Sequence, residues 1–176
     1  MNIIKYAIML VVCNLLRLLR FIPNFDPIMG SMLPFAKQDK WWASALFALL
    51  TMVSFDIITG FLGIWTAVTA LTYAGLGVFF HFYYKNQKKV TLKTYVGSGV
   101  LGVLIYDFIT GVIAGPAMFG MNYYEAFLGQ IPFTLMHLVS VTAFVLILTP
   151  LLDKHVVQNT VFDDNKLVAR FLTITK

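Results

Sequence analysis

From Ala126 to Pro150 the chain carries no Asp, Glu, Lys or Arg. A run of that length matches a membrane crossing, because about 20 helical residues at 1.5 Å each span a hydrocarbon core about 30 Å thick. In such a core every backbone amide must find its partner inside the protein, and a helix provides those partners within itself. Further apolar runs fall at about residues 3–21, 26–36, 41–59, 62–83 and 95–114, separated by turn and charge signals. With 59% apolar residues, 12% charged and a mean hydropathy of +0.80, the composition excludes a soluble domain. The expected fold is an all-α integral membrane protein. Residues 1–152 form a six-helix transmembrane bundle, and 153–176 form a cytoplasmic tail.

The second run is the short one. Asp26-Pro27 reads as an N-cap with proline at the first helical position, and Pro34 interrupts about a turn before the end. Its eleven residues make about 16 Å of helix, half a membrane. The segment either crosses with extended backbone at one end or re-enters. Met1 to Lys5 followed by apolar residues resembles a signal sequence, but no small-residue cleavage site precedes Arg17, so a retained first helix is expected. The single Cys13 excludes an intramolecular disulfide.

Lys85, Lys88, Lys89 and Lys93 cluster after the fourth run, which the positive-inside rule assigns to the cytoplasm. Six crossings then put both termini and 11 of the 13 Lys and Arg inside, with Arg17 and Arg20 outside. A re-entrant second segment instead gives five crossings, an external N-terminus and 12 of 13 basic residues inside. The net charge of +5 is accounted for by these loops and gives no indication of nucleic acid.

Within the apolar runs one pattern is duplicated: Phe55-Asp56-Ile57-Ile58-Thr59-Gly60 and, 51 positions later, Tyr106-Asp107-Phe108-Ile109-Thr110-Gly111. A carboxylate at the centre of a membrane helix costs about 2.5 to 3.5 kcal/mol on insertion scales, so a repeated one marks a functional site or a structural pair. Under six crossings the repeat is parallel, two hairpins related about the membrane normal, with both aspartates in the outer half. Arg17 and Arg20 share a helical face at the same level. The aspartates either pair with these arginines and lock the bundle or serve a ligand. Gly115 to Glu125, rich in glycine and aromatic residues, reads as an outer lid or as an interfacial aromatic belt, and Trp65 admits the same two readings. Gln130, Thr134 and His137 make one polar stripe on the last helix, a site wall or a set of interhelical hydrogen bonds, with His137 expected neutral and buried. No catalytic, metal-binding or phosphate-loop motif accompanies them, so neither an enzyme nor a cofactor is expected.

Pro23-Asn24-Phe25-Asp26-Pro27, the run Asp56 to Thr66, and Gln130-Ile131-Pro132-Phe133-Thr134 resemble an uncharacterised bacterial transport-protein family, itself similar to the substrate-capture S components of energy-coupling-factor (ECF) vitamin transporters. The resemblance implies a six-helix bundle with both termini inside and an outward cavity between the first loop and the last three helices. It also implies a partner module of a transmembrane scaffold and two ATPases. The Ala-x-x-x-Ala docking face of S components is replaced here by Ala7, Cys13 and Asn14 among bulky residues.

The expected function is a substrate-binding and translocation subunit for a small water-soluble, vitamin-like nutrient in the bacterial cytoplasmic membrane. Arg17, Arg20, Asn24, Asp56, Trp65, Asp107, Asn122, Tyr123 and Gln130 are the expected substrate-binding residues. The alternative is a non-transporting membrane scaffold in which buried ion pairs are purely structural.

Overall fold

The computed structural model describes residues 3–19 and 24–153. Arg20 and the tail beyond Asp153, both part of the sequence reading, lie outside the described residues. The elements are α1 (Ile3–Leu19), α2 (Ile28–Gln38), α3 (Trp41–Thr59), α4 (Ile64–Lys85), α5 (Leu92–Asp107), a π-helical segment (Phe108–Ala114), α6 (Gly115–Phe119) and α7 (Tyr123–Leu152). Because α5, the π segment and α6 run on as one helix over Leu92–Phe119, the described residues form six helical rods and no strand. Four of the rods, α3, α4, Leu92–Phe119 and α7, are long and apolar enough to cross a membrane. Their outward faces expose large apolar side chains such as Leu71, Leu135, Val139 and Leu146, a surface suited to lipid. These are the features of a membrane protein.

The shortest rod lies at the centre. Every residue of α2 from Ile28 to Ala36 is buried, and the helix packs against α3, α4, α5 and α7. A helix apolar on all sides belongs in an interior. Lipid tails are as apolar as leucine, so close packing rather than escape from water drives this placement. Gly30 permits the approach to α7, since a Cβ there would stand 2.7 Å from the Phe144 carbonyl oxygen. Pro34 has no N–H for the Gly30 carbonyl four residues back, and Thr149 Oγ1 of α7 donates to that oxygen instead at 3.4 Å. At the other end the Asp26 Oδ1 accepts from the Ile28 amide at 2.9 Å, so the expected Asp-Pro start is present with the helix beginning just after Pro27.

Small residues set the other tight contact. Ser44 Oγ on α3 donates to the Gly77 carbonyl of α4 at 3.0 Å, and a Cβ on Gly77 would lie 2.8 Å from the Ala45 amide nitrogen. At the end of the bundle formed by the starts of α1 and α5 and the ends of α2 and α7, polar groups clamp the rods together. Lys5 Nζ donates to Gln38 Oε1 and to the Leu152 carbonyl, both at 3.0 Å. Lys37 meets Asp153 at 2.6 Å, and Tyr95 donates to the same carboxylate at 2.9 Å.

The 115–125 segment corrects one expectation. It is largely helical rather than an extended lid loop, with a break only at Gly120 to Asn122, where Gly120 takes a left-handed turn (φ 66°). Pro116 falls where the π segment passes into α6, and the helix runs on through it.

Candidate functional site

A cavity of about 490 Å³ opens among α1, the Asn24–Asp26 segment, α3, α4, α5 and α7. Its polar lining is Arg17, Asn24, Asp26, Tyr73, Tyr106 and His137, and Phe25, Met52, Phe55 and Phe133 supply apolar walls. Helical cross-links alone do not account for this lining, because Asn24 to Pro27 is not helical. Irregular backbone at membrane depth persists only where protein buries it or where it borders a cavity, and this stretch does both. Asn24 adopts the left-handed region (φ 61°), which asparagine tolerates better than most residues, and its Nδ2 donates to the Phe133 carbonyl at 2.9 Å.

Three buried ionisable groups meet at the inner wall, Asp26 and His137 in the lining and Asp107 behind His137. His137 Nδ1 lies 2.8 Å from Asp107 Oδ1, and its Nε2 lies 3.2 Å from Asp26 Oδ2. Thr134 Oγ1 donates to Asp107 Oδ2 at 2.7 Å, Tyr73 donates to Asp26 Oδ2, and Ser140 Oγ accepts from the Asp26 amide at 2.9 Å. Carboxylates only accept and a neutral imidazole has one N–H, so closing both histidine bonds requires one proton beyond the neutral ring. His137 is buried as expected, and it is more than a packing residue: the ring bridges two acids. Sequence spacing gave its stripe with Thr134 but gave no sign of Asp26, which comes from a different helix end.

Arg17 reaches this cavity without an acidic partner among the described residues. Its Nη1 donates to Met52 Sδ at 3.0 Å, and the guanidinium stands over the Phe55 ring at 4.1 Å. Among the described residues it pairs with neither Asp56 nor Asp107.

The remaining expected site residues fall elsewhere. Asp56 is half-buried at the α3–α4 turn and accepts from Thr66 Oγ1 at 2.5 Å. Trp65 packs on Phe119 with ring centroids 5.7 Å apart. Asn122 caps α7, accepting from the amides of Tyr124 and Glu125 at 2.8 and 3.3 Å, while Tyr123 is exposed. Gln130 lies against Gly111 in the π segment, where a Cβ would collide with its side-chain amide, and it borders a separate apolar groove with Asp107 and Thr134. Thus the structure brings Arg17 and Asn24 into the cavity, places Asp107 behind His137, and leaves Asp56, Trp65, Asn122, Tyr123 and Gln130 outside the lining. Tyr73, Tyr106 and Phe133 join it unannounced, since isolated aromatics in apolar helices are ordinary packing residues.

Comparison with known proteins matches residues 1–159 to a family described as Family of unknown function (DUF6580). The chain belongs to the DUF6580 family. That description names no activity and gives no support to the likeness to ECF S components. No curated protein and no solved structure matches this DUF6580 chain.

Proposed function

We propose that the chain is a membrane substrate-binding and translocation subunit for uptake of a small water-soluble, vitamin-like nutrient. The observation that carries this reading is the cavity itself, which puts Arg17, Asn24, Asp26 and His137 beside aromatic walls at the depth of apolar helices. Polar and charged groups at that depth are expensive and collect at ligand or ion pathways. A volume of about 490 Å³ falls within the range of about 300 to 1,000 Å³ usual for small-molecule sites. In this reading the protein lies in a bacterial cytoplasmic membrane with both termini inside and the cavity facing out. The two aspartate hairpins are halves of a parallel repeat, and a separate ECF-like module of a scaffold and two ATPases supplies the energy.

Native mass spectrometry of the purified protein tests the proposal. A retained small molecule is expected, and Asn24→Ala and Phe133→Ala should weaken its retention while Trp65→Ala and Tyr123→Ala leave it intact. Loss of retention only in the second pair would move the site away from this cavity. The scaffold alternative, built on pairing of both aspartates with Arg17 and Arg20, gains no support from Arg17, whose contacts are a thioether and a ring.

A further inference from the structure

We propose that the ligand of this cavity is an organic anion, a flat or apolar body bearing a carboxylate or similar oxyanion that docks on Arg17. The proposal rests on reading the cavity as a ligand site and adds the sign of the ligand's charge. The unused hydrogen-bond donors of Arg17 carry it. On the inner wall Asp26 receives the Ile28 amide on Oδ1, with Tyr73 and His137 on Oδ2. Asp107 receives His137 on one oxygen and Thr134 on the other. Both ring nitrogens of His137 are thereby engaged, so the acidic side of the cavity is largely occupied by protein donors.

Arg17 is in the opposite condition. Its guanidinium offers five N–H donors in a planar fork, yet a sulfur atom and a ring face are its contacts among the described residues. Both are weak partners for a guanidinium, most of whose N–H donors they leave unused. An oxyanion satisfies the fork with two parallel, charge-assisted hydrogen bonds. Phe25, Phe133 and Tyr106 line the same space and offer ring faces and edges to a flat body attached to that anion. A cationic ligand, by contrast, finds Asp26 already accepting three hydrogen bonds and leaves Arg17 facing a like charge.

Three probes on one ring separate the cases: benzoate, benzamide and benzylamine, measured by ligand-observed NMR on the full chain in nanodiscs. Benzoate should bind at least about tenfold more tightly than benzamide, the effect of one charge-assisted contact, and benzylamine should bind least. Arg17→Gln should erase the preference for benzoate. Arg17→Lys, which keeps the charge and loses the fork, should retain the preference with several-fold weaker binding, and it serves as the test if the glutamine variant does not fold. Equal binding of benzoate and benzamide, a preference for benzylamine, or benzoate affinity unchanged in both variants overturns the anion assignment and leaves the cavity as a ligand site. Failure of all three probes, together with no retained molecule in native mass spectrometry, removes the proposed function and this inference with it.

Discussion

Asp56 and Asp107 sit in the same local sequence and use one device in common. Each accepts a hydrogen bond from a threonine of the helix that follows in its hairpin, Thr66 and Thr134, and in each motif the threonine three residues after the Asp bonds back to the carbonyl of the aromatic residue preceding that Asp. Beyond that they diverge. Asp107 is fully buried and bridged by His137, whereas Asp56 is half-buried at a turn. Removing a partner from a buried charged pair strands the other, so Asp107→Ala should lower stability by about 3 to 5 kcal/mol. Asp56→Ala should cost about 1 kcal/mol, the usual worth of one partly exposed hydrogen bond. Equilibrium unfolding in mixed micelles measures both, and a larger loss for Asp56→Ala would contradict the assignment of Asp107 to the buried trio.

At the scale of elements, α2 and the α3–α4 hairpin depend on glycine for backbone proximity. A methyl group on Gly77 has to push against backbone, not against a flexible side chain, so Gly77→Ala should destabilise by about 1 to 3 kcal/mol, the usual cost of overpacking. Gly75, on the same helix with nothing within 4 Å of its would-be Cβ, is the control. Gly75→Ala should be neutral or stabilising by up to about 1 kcal/mol through helix propensity. Comparable losses in both variants would mean that helix flexibility, not the α3–α4 approach, governs this hairpin. The short segment that the sequence left to cross with extended backbone or to re-enter is, in the fold, the filler around which the longer rods pack.

For the whole molecule, the contacts of Lys5 with Gln38 and Leu152 join the start of α1, the end of α2 and the end of α7 at one end of the bundle. The cavity lies toward the other end, near Arg17 and Asn24. If the lysine-rich link faces the cytoplasm, a membrane-impermeant thiol reagent applied to intact cells should label Asn122→Cys and spare Lys88→Cys, each on a Cys13→Ala background. Cys13 is fully buried against Ser31, so its replacement should be tested for folding first. Labelling at Lys88→Cys alone would invert the orientation and turn the cavity toward the cytoplasm.

Sequence by itself determined the helices. Long apolar runs, the Asp26-Pro27 start and the repeated aspartates are local or periodic signals, and the rods occur close to where those signals place them. It also identified Arg17 and Asn24 as polar groups at the level of the cavity. Tertiary structure alone decided the partners. Asp26, Asp107 and His137 come from three separate segments, and their meeting depends on how α2 sinks between α5 and α7, which spacing along one chain does not encode. The continuation of the second motif into a π segment, where the first motif ends its helix at Gly60, was undecidable for the same reason. Similar local sequence meets different neighbours: a turn into α4 in one copy, and the Gln130 side chain lying over Gly111 in the other.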